Sequence, residues 1–182
     1  DCQDLVKQAF IQRDFLKPDQ YLLAVNSINW TRIVGQICYY FYAYNRLANH
    51  ENLNFSIPTG NFGNVFACYS AFKMGLPIKT ISVAVNDNDI LHRFFTSNDY
   101  SKKRVHETIS PSMDISVASN FERLVYDFFL DRSTAKCAEL FNGFPNQGIE
   151  LDEAIWNKKN DLFSSSSVDD AATQAIIQSI NN

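Results

Sequence analysis

The residues Leu53 to Asn64, LNFSIPTGNFGN, have the types and spacing to hold a phosphate. An apolar alternation (Leu53, Phe55, Ile57) ends at Pro58. Thr59, Gly60, Asn61, Phe62, Gly63 and Asn64 follow, and an apolar helical pattern begins at Val65. A strand that breaks into a Gly/Asn turn and opens a helix presents a row of backbone N–H groups at the positive end of the helix dipole. Glycines at positions 60 and 63 can adopt φ > 0 and let a phosphate approach the backbone. No Gly-Lys-Ser/Thr follows, so this is not a Walker loop, and the glycine spacing differs from the dinucleotide fingerprint. The same short pattern also suits a plain strand-to-helix turn.

The elements that would position this turn alternate. Helical spacing covers Asp4 to Leu16, and Lys17-Pro18-Asp19 stops it. Tyr21 to Val25 reads as a short buried strand. Asn26-Ser27 ends that strand and caps a long amphipathic helix, Ile28 to Leu47. Leu53 to Ile57 reads as a second strand. A helix follows from Asn64 to Met74, with Gly75 at its end and Pro77 beyond. Lys79 to Val85 is a β-branched third strand, and Asp89 to Phe95 a short helix. Strands alternating with helices predict a three-layer α/β/α fold around a parallel sheet with right-handed crossovers. Ligands then belong at the carboxyl ends of the strands. Asn26-Ser27, Thr59-Gly60 and Asn86-Asp87 all stand at such exits, with Asn88 and Asp89 in the same turn as the last.

The remainder is less regular. Lys102-Lys103-Arg104 is a basic run read as a solvated loop. Helices are expected at Val117 to Leu130, Ala135 to Phe141, Asp152 to Lys159 and Asp169 to Ile180, with Ser164 to Ser167 as a flexible run.

Composition narrows the class. Of 182 residues 46% are hydrophobic and 20% charged, which is enough to bury one domain's core. A net charge of −4 argues against nucleic-acid or anionic-membrane partners. No run of about 18 apolar residues indicates a membrane span. Cys2, Cys38, Cys68 and Cys137 form no CxxC pair, and His50, His92 and His106 are scattered, so no metal site is expected. Buried free thiols fit a reducing cytoplasm. The chain opens Asp1-Cys2-Gln3-Asp4 without Met or a basic leader, which suggests a start that is not native.

Six blocks taken in order resemble threonine synthase, a pyridoxal-phosphate enzyme of the tryptophan-synthase-β type (fold type II). They are NSINWTRIVGQICYYFYAY (Asn26 to Tyr44), SIPTGNFGN (Ser56 to Asn64), KMGLPI (Lys73 to Ile78), NDNDILHRFF (Asn86 to Phe95), HETISPSMDI (His106 to Ile115) and SNFERL (Ser119 to Leu124). The likeness runs from Asp1 to about Leu130 and is weaker over 131–182, which reads as helical. It best fits the longer, bacterial and fungal type.

The resemblance implies a lyase of threonine biosynthesis that converts O-phosphohomoserine and water to threonine and phosphate. It implies that Gly60, Asn61, Phe62, Gly63 and Asn64 hold the phosphate of pyridoxal 5'-phosphate. Many members of the family carry Asp at the position of Asn64. It further implies that Asn26, Ser27 and Arg32 face the substrate phosphate, a role for which a guanidinium with neighbouring neutral donors is suited.

The Schiff-base lysine, which this cofactor requires, lies in the family within a Phe-Lys-Asp-like segment N-terminal to the phosphate loop. None of Lys7, Lys17, Lys73, Lys79, Lys102, Lys103, Lys136, Lys158 and Lys159 stands in that context. The family's polar partner for the pyridine nitrogen is also missing. The expectation is therefore a partial domain: an internal segment carrying the cofactor-phosphate half of a site, without catalytic residues and inactive alone. Two other readings stay open. One is a non-catalytic relative that binds a phosphorylated ligand. The other is a related pyridoxal-phosphate-dependent phospho-lyase.

Overall fold

The structure is a computed structural model that describes residues 2–23, 25–47 and 51–180. His50 lies outside them, as does Ala24 in the expected first strand. Helix α1 spans Cys2–Ile11 and α2 spans Trp30–Arg46. Strand β1, Leu53–Pro58, leads into α3, Gly63–Lys73, and then β2, Ile78–Val85. Helix α4 covers Ile90–Ser97. After a single 3₁₀ turn at Pro111–Met113 come α5 (Phe121–Leu124), a π-helical turn (Val125–Phe129), α6 (Thr134–Phe141) and α7 (Glu153–Trp156). A second 3₁₀ stretch, Asn157–Asp161, precedes β3 (Phe163–Ser167) and α8 (Asp170–Ile180).

The three strands form one parallel sheet in the order β1-β2-β3. Phe55, Ile57, Ile81, Val83, Val85 and Phe163 share one face of the register, and the helices pack there. Burial alternates along β2, as period-two side chains require: Ile81 and Val83 are fully enclosed while Thr80 and Ser82 are only half-buried.

Three expectations are corrected. Residues 21–23 and 25 form no strand: Tyr21, Leu23 and Val25 are exposed, with no described strand beside them. The serine run at 164–167 is not a flexible link but most of β3, paired with β2 from Ile81↔Phe163 to Val85↔Ser167. Serine is a poor strand signal, yet the open edge of β2 supplies a row of ladder partners, and Phe163 anchors the strand by stacking on Phe95 at 5.4 Å. The helix expected at 117–130 begins only at Phe121 and widens to π geometry from Val125.

Aromatic side chains fill the space between helices and sheet. Phe94 and Phe121 meet edge-on at 4.7 Å, and Tyr100 stacks on Phe121 at 4.4 Å. The buried Tyr100 hydroxyl donates to the Ala118 carbonyl at 3.3 Å and accepts from the Ala118 N–H at 3.0 Å, so its polar tip is satisfied.

Candidate functional site

The turn that follows β1 ends at α3, whose first amides have no acceptor within the helix. The residue before the helix, Phe62, offers no side-chain cap, and the first turn holds no acidic residue. The positive end of an 11-residue helix thus lies in the Gly60–Asn64 loop with no side-chain cap and no acidic residue in its own first turn.

The left-handed residue of the loop is Phe62, at φ 64, and neither Gly60 nor Gly63 has positive φ. A non-glycine residue in that region is strained by about 1–2 kcal/mol. Complete burial of the ring offsets the strain: Phe62 packs edge-on to Phe121 at 5.4 Å and stacks with Phe95 at 6.5 Å.

The glycines answer a different need, close approach. A Cβ on Gly60 would sit 2.9 Å from the Ser112 carbonyl oxygen and 3.2 Å from Met113 Cα. A Cβ on Gly63 would sit 3.1 Å from Gln36 Oε1, and Asn120 Nδ2 lies 3.8 Å away. The loop is therefore clamped between the 110–113 turn and the amides of Gln36 and Asn120.

Segment 106–123 ties the strand exits together. The Asp114 carboxylate accepts from Asn86 Nδ2 at 2.7 Å, Asn88 Nδ2 at 3.1 Å, Thr108 Oγ1 at 2.7 Å and the Thr108 N–H at 3.0 Å. Burial pushes its pKa up, but the donors of Thr108, Asn86 and Asn88 outweigh that and hold the carboxyl below the usual carboxylate range. Asn88 also clasps His106, donating to its carbonyl at 2.9 Å and accepting from its N–H at 2.8 Å. Asp89 accepts from Arg93 Nε at 2.8 Å. The Asn86–Asp89 turn is thus a structural hinge that carries the 110–113 turn to Gly60.

No described strand precedes Asn26-Ser27, which lies instead in the turn before α2: Asn26 Oδ1 accepts from the Ile28 N–H at 3.0 Å, and Asn29 caps α2 by accepting from the Thr31 N–H at 2.9 Å. Ser27 Oγ lies 3.3 Å from Ser119 Oγ, which donates to Asn61 Oδ1 at 3.1 Å. Asn120 donates to the carbonyls of both Ser27 and Asn61. The structure so brings the Asn26-Ser27 turn against the Gly60–Asn64 loop. Arg32, in the first turn of α2, is exposed and without a side-chain partner among the described residues. Ser119, Asn120, Thr108 and Asp114 were not singled out as functional by sequence, although two of the quoted blocks contain them.

Three buried side-chain oxygens lack a partner among the described residues: Gln36 Oε1, Asn64 Oδ1 and Asn120 Oδ1. All three belong to side chains at the start of α3 or to amides packed against Gly63. Unsatisfied buried polar atoms mark places where a ligand or water completes the bonding.

Neither Lys73 nor Lys159 stands at this loop. Lys73 closes the far end of α3, about 15 Å away by the helical rise. Lys159 is 7% exposed, its Nζ 3.7 Å from the Trp156 ring centre, and burial lowers its pKa. It precedes β3, however, and so lies at the amino end of a sheet whose carboxyl end carries the loop. Cys68 is buried and free, its thiol pushed up to about 12 by burial, which makes it inert. Cys137 is buried and free as expected, but Cys38 is exposed. No group of metal-ligating side chains occurs among the described residues, and none of their helices is long and apolar enough to cross a membrane.

No protein-family model matches the chain. It is 49% identical to the threonine synthase of Pseudomonas aeruginosa over 95% of its own length and 37% of that protein. It is 38% identical to the threonine synthase of Saccharomyces cerevisiae over 98% of its length and 37% of the relative. The chain thus spans little more than a third of these curated relatives. Among solved structures, a pyridoxal-phosphate-bound threonine synthase from Brucella melitensis superposes with a TM-score of 0.90 at 41% identity, covering 98% of this chain and 39% of that one. The Escherichia coli enzyme gives 0.74 at 32% identity, over 99% and 36%. In sequence and in fold, along nearly its whole length, the chain belongs to the threonine synthase family.

Proposed function

We propose that this chain supplies the phosphate-binding part of a threonine synthase site. Gly60, Asn61, Phe62, Gly63 and Asn64 hold the phosphate of pyridoxal 5'-phosphate, and Asn26, Ser27 and Arg32 face the phosphate of O-phosphohomoserine. The whole enzyme is a lyase of threonine biosynthesis, converting that substrate and water to threonine and phosphate in the cytoplasm. The observation that carries the assignment is the uncapped start of α3 behind a glycine-clamped loop. A dianion there meets backbone donors and a helix dipole without displacing any acidic side chain.

The bound cofactor would supply the electron sink for carbanion chemistry on the amino acid. The chain's own residues bind and orient. Backbone N–H groups at the start of α3 fix the cofactor's phosphate end. The exposed guanidinium of Arg32 would pair with a second phosphate, with Asn26 and Ser27 supplying neutral hydrogen-bonding groups. No lysine of this chain stands in the Phe-Lys-Asp-like context of the family's Schiff-base segment, so residues 1–182 alone bind without turning over.

Spectroscopy of the isolated chain with pyridoxal phosphate tests this. The expected result is reversible binding, lost on dialysis, and no threonine formation from O-phosphohomoserine. A covalent band that survives dialysis and maps to one lysine of this chain would overturn the assignment.

A further inference from the structure

Asn120 is fully buried, and its one carboxamide spans two segments far apart in sequence. Nδ2 donates to the Ser27 carbonyl at 2.9 Å and to the Asn61 carbonyl at 3.0 Å. Its own N–H donates again to the Asn61 carbonyl at 3.1 Å. The orientation of the amide is unambiguous, because a flipped group would aim an oxygen at two carbonyl oxygens. Neighbours reinforce the link: Ser119 Oγ bonds Asn61 Oδ1, and Arg123 Nη2 donates to the Ile28 carbonyl at 2.8 Å. The same side chain packs 3.8 Å from where a Cβ on Gly63 would lie. One amide therefore bonds both the Asn26–Ile28 turn and the middle of the glycine loop, beside the first residue of α3.

We propose that Asn120 is a positioning residue that fixes the spacing between the 26–28 turn and the 60–64 loop, so that two phosphate groups are held together. The inference rests on the reading above that each segment holds one phosphate. Asn120 touches neither phosphate. It acts through two carbonyls whose alignment sets where the Asn26, Ser27 and Arg32 side chains stand relative to the loop. Without the amide, only the Ser119 and Arg123 contacts remain, the spacing of the two segments loosens, and each subsite loses its partner's placement.

The test uses a threonine synthase containing this segment, with Asn120→Ala and Asn120→Asp. Two dissociation constants are measured: pyridoxal phosphate with the apoenzyme, and inorganic phosphate with the holoenzyme, where the cofactor already fills the first subsite. Folding is followed in parallel by circular dichroism. Losing one pair of buried hydrogen bonds is expected to weaken each constant about tenfold in Asn120→Ala. Asn120→Asp should match it at pH 8 and regain affinity for both ligands as pH falls, because a protonated carboxyl can donate again to one carbonyl. A merely structural role would lower the melting temperature but leave both constants unchanged for the folded fraction, and that result overturns the proposal. A change in cofactor affinity alone, with phosphate binding intact, also overturns it. If wild-type holoenzyme binds no inorganic phosphate, the second-subsite reading fails, and this inference falls with it. If wild type binds both ligands and the variants do so equally, only the inference fails.

Discussion

Asn86 Nδ2 donates to the Asp114 carboxylate at 2.7 Å across 28 residues of chain, and this contact joins the end of β2 to the turn that closes over Gly60. Asn86 is 4% exposed and Asn88, the second amide donor, 6%. Loss of the carboxylate would leave one N–H of the Asn86 amide and the Thr108 N–H without an acceptor, whereas Asn88 Nδ2 would keep the His106 carbonyl and Asn86 Oδ1. A buried donor that loses a charged acceptor costs about 1.5–3 kcal/mol. Asp114→Ala is therefore expected to destabilise the fold by at least that amount and to weaken cofactor binding in the parent enzyme. Urea unfolding alongside cofactor titration checks it, and unchanged values for both would reduce the knot to a surface contact.

The same carboxylate carries a pH signature. Its folded pKa is lowered because hydrogen bonding outweighs burial. A lowered pKa means that the stabilisation is complete above the unfolded value, near 3.9, and is lost as pH falls through the folded value below it. Unfolding free energy should fall as pH drops below about 4, the unfolded carboxylate value. The slope should be shallower in Asp114→Asn. Equal slopes in the two proteins would assign the acid sensitivity to other carboxylates. Asp99 and Asp127 also have lowered values, Asp99 through hydrogen bonds from Ser101 and Arg93, Asp127 through bonds from Tyr69 and Arg132, each against burial.

Gly60 tolerates no methyl group because the Ser112 carbonyl oxygen would lie 2.9 Å from it. Backbone cannot swing aside as a side chain does. Gly60→Ala should push the 110–113 turn off the loop, at a cost of about 1–3 kcal/mol. The larger Gly60→Val should abolish cofactor retention. Gly75→Ala is a control for a glycine of a different kind: it has φ 100 and nothing within 4 Å, so it should lower stability without altering cofactor affinity. Equal cofactor binding in wild type and Gly60→Val would place the phosphate elsewhere.

Arg32→Ala should lower kcat/KM for O-phosphohomoserine about 10- to 100-fold, the range implied by losing a charge-assisted contact. Cofactor affinity should hold, because Arg32 lies in α2 rather than in the loop that opens α3. Side-by-side kinetics and cofactor titration decide this. Wild-type kcat/KM would make Arg32 an ordinary surface charge, and a collapse of cofactor binding alone would assign it to the cofactor phosphate.

Phe62→Ala should be among the most damaging single changes. It deletes a fully buried ring at 5.4 Å from Phe121 and leaves the left-handed backbone in place without compensation. Large-to-small changes of this type cost about 3–5 kcal/mol. Thermal unfolding measures it, and a loss under 1 kcal/mol would mean that the ring does not anchor the loop.

Sequence alone determined the strand-turn-helix around Gly60, the succession β1, α3, β2, α4 and the parallel sheet. Each of these rests on periodicity or turn chemistry within a dozen residues. Six ordered blocks also carried the family. Tertiary structure decided what local pattern does not encode. Ser164–Ser167 became a strand because β2 had an open edge, whereas residues 21–23 and 25, richer in strand-forming residues, formed no strand, with Tyr21, Leu23 and Val25 exposed. The glycine loop took its left-handed residue at Phe62 because an aromatic core was there to bury the ring. The residues that hold the site in register, Asp114 and Asn120, reach partners 28 and 93 positions away. Such bonds leave no mark on composition or spacing, since a carboxylate or an amide acquires its role only when packing removes water and brings its partners within reach.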